Sequence, residues 1–529
     1  MPSDCISYQT SGYFTKLIQD YLDQKPELKP LYNRFPTVEN FKKQITEKAA
    51  NFDNDNRISL VKALERQYQN IEISDSTKQN IELLKFENTF TITTGHQLNL
   101  FSGPLYFLYK IISTINLTKE LKSKYPTYNF VPIYWMATED HDFEEINYFN
   151  FKGKKFRWNK ESNGPVGRLS TEGLHEFLEI YSKELGSSTN AGFIKNLFEE
   201  AYLKHEKLAD ATRFLANSLF ANYGLVILDA DNTDLKRTFI PFIKEELEKQ
   251  TSFKAVQKTI EEFNEYTVQV NPREINLFYI EDNLRERIIF ENDKYYVNNT
   301  KTSFSKEEIL KLLESNPEKF SPNVIMRPLY QEIILPNLCY IGGGGEIAYW
   351  LELKSFFDTV KISFPILLIR NSVLLNTEKQ VKKADNLGLS WADLFTKPED
   401  LVNKITHKLS AFPIDLTPQK KTLEKQFEYL YQLAQQTDKS FSGAVKAQEV
   451  KQKKGLENLE KRLLKAQKRK LNDEIQRVID LQSDLFPNKS LQERQVNFSE
   501  FYLEKGENLI PLLIQKLKPL ENNFDIITI

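Results

Sequence analysis

Four short runs rich in apolar and β-branched residues, 90–94, 130–137, 225–228 and 364–369, each give way to a polar or glycine-containing turn and then to apolar residues at helical spacing. That alternation predicts a parallel sheet covered by helices, an α/β core. Ligands of such sheets gather at the carboxyl ends of the strands, so the residues just after each run are the first candidates for function. Phe14, Leu17, Ile18, Tyr21 and Leu22 recur at three- and four-residue steps and predict an amphipathic helix lying on the core. Between Phe149 and Phe320 the pattern is mixed, with 295–297 reading as one strand among helical stretches, and predicts insertions that decorate the sheet.

The pattern changes sharply over 417–484, where Lys, Gln, Glu and Leu dominate and proline is absent after Pro418. Leu456, Leu459, Leu463 and Ala466 follow alternating steps of three and four, and Leu471, Ile475 and Val478 resume the seam after one shift. This predicts an all-α antiparallel coiled coil, with Leu423, Phe427 and Leu430 on the earlier helix and a turn at 440–443. Lys451, Lys453 and Lys454 fit the solvated outer face of such a helix. The seam is too apolar to stand in water, so a homodimer through the coiled coil is expected. After Pro487, Phe498, Phe501, Tyr502, Leu509 and Leu512 return the chain to the core. The expected units are a core over 1–385, with its insertions at roughly 150–320, a helical coiled-coil domain over 386–487, and a C-terminal segment over 488–529.

Composition narrows the partners. The chain has 529 residues, beyond the size at which one core stops growing, and its 71 basic and 73 acidic residues leave a formal charge of −2. That balance gives no electrostatic footprint for nucleic acid and suits a small polar substrate. Cys5 and Cys339 form no CxxC pair, so no structural zinc and no disulfide framework is expected, in keeping with a reducing cytoplasm. No secretory signal and no membrane-spanning run is present.

Three segments carry candidate chemistry. In TITTGHQLNLFSGPLYFLYK a strand ends at Gly95, and Ser102, Gly103 and Pro104 predict a capped helix start, with Leu105, Leu108, Ile112 and Ile115 on its buried face. Such a turn exposes backbone N–H groups that hold phosphate or carboxylate, with Gly95 and Gly103 in the cradle and His96 and Gln97 adding side-chain hydrogen bonds. An ordinary loop with a satisfied histidine fits the same pattern. In VPIYWMATEDHDFEEIN an apolar run ends in Thr138, Glu139, Asp140, His141 and Asp142. A histidine flanked by Asp140 and Asp142 can serve as a general base, whereas the alternative is a solvated helix start favoured by the dipole.

The third segment, SPNVIMRPLYQEIILPNLCYIGGGGEIAYWLELK, holds Gly342, Gly343, Gly344 and Gly345 between an apolar run and a helix. It lacks the Lys-Ser/Thr of a P-loop, but its glycine turn can form an anion nest. Arg327, Gln331 and Glu346 bring a cation, an amide and a carboxylate to the same region, Arg being suited to a planar carboxylate. A surface ion pair for Arg327 and a dipole role for Glu346 are the competing readings. Ser305 followed by Glu308 is a plain capping box.

Taken together and in this order, TGHQLNLFSGPLY at 94–106, EDHDFEEIN at 139–147 and SPNVIMRPLYQEIILPNLCYIGGGGEIAYW at 321–350 resemble the bacillithiol biosynthesis cysteine-adding enzymes, the cysteine ligases of the BshC family. The resemblance extends over nearly the whole chain. It implies a Rossmann-like core with connecting insertions and a coiled-coil dimerisation domain. It also implies a C–N ligase, with cysteine and glucosaminyl malate as substrates and bacillithiol as product, and with ATP and Mg²⁺ for carboxyl activation. Within that reaction Asp140, His141 and Asp142 are the candidate catalytic groups. Two positions depart from the family's usual form, His96 where glutamine is frequent and Gly344 where proline is frequent. A nucleotidyl or glycosyl transferase, or a non-enzymatic coiled-coil scaffold, are the alternatives.

Overall fold

The computed structural model describes residues 4–263 and 265–529. Its centre is a five-stranded, wholly parallel sheet of β1 (Thr89–His96), β2 (Asn129–Met136), β3 (Val226–Asp229), β4 (Asn337–Gly342) and β5 (Ile366–Ile369), in the spatial order β5-β4-β1-β2-β3. Three of the runs read from the pattern occupy this sheet to within one residue at their starts, and the fourth begins two residues late. β1 is buried throughout, as a strand covered on both faces must be. Its threonines are paired within the sheet: Thr91 and Thr93 donate to Asn337 Oδ1, and Thr94 donates to Ile341 O.

The chain starts at β1, moves to β2 and β3 on one side, and later returns to lay β4 and β5 on the other. The reversal falls between β1 and β4, which is where an open α/β sheet leaves a crevice beyond its carboxyl edge. Helix α1 (Tyr106–Lys124) makes the first crossover, with Leu108, Ile112 and Ile115 buried as its spacing predicts. Its start is a correction. Ser102 is not a cap but sits in a short turn, Leu100–Ser102, with φ of +67°, and Leu105 occupies the N-cap position. The left-handed backbone at Phe101 and Ser102 drives the Phe101 ring among Phe149, Tyr181, Phe198 and Phe498. Burial of one large aromatic, worth about 1.5–3 kcal/mol, offsets part of a backbone cost of about 1–3 kcal/mol for each of the two residues.

Helices α2 (Met326–Ile334) and α3 (Gly344–Leu351) flank β4. The insertion before them forms an antiparallel five-stranded sheet of 277–281, 284–291, 294–297, 303–304 and 320–322. The expected capping box is present at Ser305 and Glu308. A third sheet joins both chain ends. The strand Ser372–Asn376 lies parallel to the last strand, Asn523–Thr528, which also pairs with Asp4–Ser7. Residues directly after β5 therefore pair with the C-terminal segment and not with the parallel sheet.

The helical hairpin consists of α4 (Thr417–Ala434) and α5 (Lys439–Lys470), followed after a break at Leu471 by α6 (Asn472–Leu485). The turn lies at 435–438, not at 440–443, because Asp438 caps α5 by accepting from the N–H groups of Ser440 and Phe441. The expected seam is also divided. Ile475 and Val478 are buried where α6 packs on the helices Glu378–Asn386 and Pro398–Leu409, whereas Leu459 remains 54% exposed. No helix among the described residues is long and apolar enough to cross a membrane.

Candidate active site

A cavity of about 860 Å³ opens at the carboxyl ends of β1, β2 and β4, at the reversal of strand order. The 269–278 segment and the hairpin bearing Arg285 and Arg287 wall it on the insertion side. At its base Gly95 leaves little room for a side chain, because a Cβ there would lie 3.1 Å from the hydroxyl of Tyr340, which would have to give way by a few tenths of an ångström. Lys110, carried up from α1, donates to Gly95 O at 2.7 Å and pairs with Glu346 Oε2 at 2.6 Å. Glu346 also accepts from Tyr340 Oη at 2.7 Å and from the Gly343 N–H at 2.9 Å. Burial alone would raise this carboxyl, but Lys110 and the two donors outweigh it and hold Glu346 below its usual value. The N-terminus of α3 is thus capped from within by Glu346.

Arg327 is wedged among the rings of Trp135, Tyr340 and Trp350. It donates to Tyr349 Oη at 3.1 Å and to Gln331 Oε1 at 3.0 Å. Gln331 in turn donates to Glu332, which forms a buried ion pair with Lys48 at 2.8 Å. Gln331 is therefore a support beneath Arg327 and does not line the cavity. His96 does line it, and burial together with Lys110 and Arg370 pushes the imidazole far below its usual range, leaving it neutral. Its Nε2 has no hydrogen-bond partner among the described residues.

At the end of β2 the titratable groups separate. Asp140 lines the cavity, where its Oδ2 accepts from Gln97 Nε2 at 2.9 Å and its Oδ1 from the His141 N–H at 2.8 Å. His141 is turned outside the cavity wall, over Phe278, and its Nδ1 takes an N–H from Arg285 at 2.8 Å. Burial and the Arg285 guanidinium lower its pKa. An Nδ1 accepting from a permanent cation leaves its proton on Nε2, so this imidazole is not poised to receive another. Asp142 lies on a neighbouring cavity. Glu139 also faces the main cavity and pairs with buried Lys236 at 2.5 Å, which itself reaches Asp231.

The structure thus brings Gly95, His96, Gln97, Asp140, Arg327, Gly343, Gly345 and Glu346 to one cavity. Four of the expected anion-binding or supporting residues lie elsewhere. Gly103 packs against Asn99, Gly342 is enclosed by Tyr340 and Glu346, Gly344 faces Phe14 and Ile18, and Gln331 is covered. Two strong participants were missed. Lys110 is a lysine inside the apolar run FLYKII, and Arg370 is the first residue after β5, so both positions carried a readable signal. Arg370 lines the cavity and is held by Glu493 of the C-terminal segment at 2.7 Å. Among the described residues no cluster of three or more His, Cys, Asp or Glu side chains is placed to hold a metal.

The loop roofing this cavity is clamped by Glu352, which is buried at the end of α3 and accepts the N–H groups of Gln269 at 2.6 Å and Val270 at 3.2 Å. Burial pushes its carboxyl from 4.5 up to about 7. The folded state therefore binds more protons than the unfolded one across that window. Stability from this group is fully present below pH 4.5 and is lost as pH rises through about 7. We expect Glu352→Gln to flatten the fall in stability between pH 5 and pH 8 by on the order of 3 kcal/mol, read from urea midpoints. Asp525, also pushed up to about 7, retains part of the slope in that variant.

A parallel α/β core with its cavity at the strand-order reversal, joined to a helical hairpin, defines a Rossmann-like protein with an appended coiled coil. Comparison with known proteins agrees over both parts. Residues 1–371 match the family described as bacillithiol biosynthesis BshC, N-terminal Rossmann-like domain, and residues 373–529 match the BshC C-terminal coiled-coil domain. Proteins named "Putative cysteine ligase BshC" from Flavobacterium johnsoniae, Flavobacterium psychrophilum and Christiangramia forsetii are 84%, 64% and 58% identical to it. Each alignment covers all of this chain and at least 99% of the relative. The chain belongs to the BshC family of bacillithiol biosynthesis.

Proposed function

We propose that this protein is a cytoplasmic ligase that joins the carboxyl group of cysteine to the amino group of glucosaminyl malate, giving bacillithiol, with nucleotide-dependent activation of the carboxyl. The observation that carries the reading is one cavity in which a cationic wall, Lys110, Arg327 and Arg370, faces a carboxylate, Asp140, fixed by two donors. Amide formation needs both: cations to hold carboxylate and phosphate oxygens, and a base to take the proton that the attacking amine loses. Arg327 is suited to hold a carboxylate of either substrate, since part of its fork faces the cavity within a ring of aromatics. Asp140, and not His141, is the base in this arrangement.

ATP with Mg²⁺, when bound, supplies the leaving group that carboxyl activation requires. Gly345 at the opening of α3, with Arg370 nearby, would hold its phosphates, the Gly343 N–H being already taken by Glu346, and Glu139 and Asp140 would be available as carboxylates to a phosphate-borne Mg²⁺. Neutral His96 offers an uncharged hydrogen-bonding group to the same ligand. Selection of cysteine then rests on shape and hydrogen bonds.

We also propose that the protein is a homodimer through α4 and α5. Purified protein incubated with glucosaminyl malate, cysteine and MgATP is expected to yield the mass of bacillithiol by mass spectrometry, and to need all three additions. Nucleotide turnover or sugar transfer that ignores cysteine would replace this reading with that of a transferase.

A further inference from the structure

Thr138, Glu139 and Asp140 form one wall of the main cavity, and the hairpin bearing Arg285 and Arg287 forms another. The two walls are joined by a segment that stands outside the cavity, 164–168, of sequence GPVGR and buried from Gly164 to Gly167. On one side it grips the loop after β2: the Val166 N–H donates to Asp140 O at 2.7 Å, and the Gly167 N–H to Thr138 O at 2.8 Å. A Cβ on Gly167 would lie 2.6 Å from Thr138 Cβ and 2.9 Å from its carbonyl oxygen, so any larger residue pushes this loop aside. On the other side Gly164, with φ of +126°, lies against the backbone of the hairpin turn. A Cβ there would come within 2.7 Å of Leu284 N and 2.9 Å of Asp282 O, so conformation and space both call for glycine.

Arg168 anchors the segment to the sheet. Its fork gives two bonds to Asp231, just beyond β3, at 2.8 and 2.9 Å, and a third to Asp282 on the hairpin turn at 3.1 Å. Asp282 is largely exposed, so that last bond is weak by itself. Asp231 is held a second time by Lys236, whose other partner is Glu139 in the cavity wall. The contacts therefore run from one wall, through 164–168, to the other.

We propose that 164–168 is a positioning strap, with Arg168 its positioning residue, and that it sets the gap between Asp140 and the Arg285–Arg287 wall at which the reaction runs. The inference rests on the ligase reading and adds what holds the two walls of that site in register. None of these residues touches the reactants; each acts through the backbone of 138–140 or of the hairpin turn. A misplacement of about 1 Å between reacting groups can cost on the order of 10²-fold in rate, so a loosened strap shows in turnover before it shows in folding.

Gly164→Ala is directed at the hairpin contact, Gly167→Ala at the β2 contact and Arg168→Gln at the anchor. Arg168→Gln is the mildest for the fold, since its side chain is 24% exposed and Asp231 keeps Lys236 as a partner. Hydrogen exchange read by mass spectrometry on the full-length proteins without substrates reports on the walls, beside thermal melting and the kinetics of bacillithiol formation. In Arg168→Gln we expect exchange of the 138–141 and 282–287 amides to rise together by about fivefold or more, with β1 and α1 unchanged. We expect kcat to fall roughly 10- to 100-fold with the KM for cysteine within about threefold, and Arg168→Lys to recover part of that loss. Gly164→Ala and Gly167→Ala should repeat the pattern, each strongest at the wall it faces. Exchange that rises at one wall only in Arg168→Gln, or a melting temperature that falls in step with activity, would overturn the proposal. Exchange is read without turnover, so the two ideas fail separately. A wild type that makes no bacillithiol, with both walls loosened in Arg168→Gln, sinks the ligase reading and keeps the strap as the link between the walls. Product formation with kcat unchanged in all three variants sinks the strap.

Discussion

Asp140→Asn is expected to lower kcat by 10²–10⁴-fold, the range that a positioned general base contributes, while leaving the KM for cysteine within about threefold, since only proton transfer and not binding is removed. The substitution is conservative for the fold. The amide oxygen of the introduced asparagine can still accept the His141 N–H, and only the second carboxylate oxygen, bonded to Gln97, is replaced by an amide nitrogen. The Asp140 side chain is 30% exposed, so the stability cost stays near the roughly 1 kcal/mol of one hydrogen bond. His141→Ala supplies the contrast. Its Nδ1 is already occupied by Arg285, so its removal should cost less than tenfold in kcat. A larger loss in His141→Ala than in Asp140→Asn would reverse the assignment of the base. A fall in melting temperature that tracks the activity loss in Asp140→Asn would return the aspartate to a structural role.

What the sequence made legible follows from how local each signal is. Strand runs such as 130–137 and the buried face of α1 depend on residues near one another in the chain, and both are found where the pattern put them. Ser102 failed as a helix cap because a distant aromatic cluster, built from Phe149, Tyr181, Phe198 and Phe498, fixes the backbone just before it. Local capping preference lost to tertiary burial. Gln331 was grouped with Arg327 correctly in space, but spacing along α2 could not say that the amide lies beneath the guanidinium and the cavity above it. His141 was favoured as base for its flanking carboxylates, while the residue that decides its protonation, Arg285, comes from a hairpin 144 residues later. Arg370 was within reach, since it stands directly after a strand run, the position that the fold class marks for ligands. The insertion topology was not legible, because strands as short as 303–304 leave too few residues for a period to show.

Replacing Leu456 and Leu459 by lysine is expected to convert a dimeric protein into a folded monomer, the second large effect. In the hairpin, α4 and α5 cover each other through Phe427, Ala434 and Val445, with Leu423, Leu430 and Tyr431 packed around them. That contact leaves an open groove between the two helices, lined by Leu423, Leu456 and Leu459, with Leu459 54% exposed. Tyr429, Leu433, Phe441 and Val450 add further exposed apolar surface on the same two helices. Full burial of one leucine is worth about 1.5–3 kcal/mol, and a two-fold axis makes every such contact count twice. Several leucines and aromatics on each copy therefore suffice against an association cost of several kcal/mol. Two lysines in the groove would place four charges in one apolar interface, a cost the pairing cannot absorb. The core should remain intact, because Ile475 and Val478 dock α6 independently of the groove. Light scattering decides the matter: wild type at twice the chain mass and the double variant at the single mass support the assignment. A monomeric wild type, or a variant that stays dimeric, would mean that this groove is not where two copies meet.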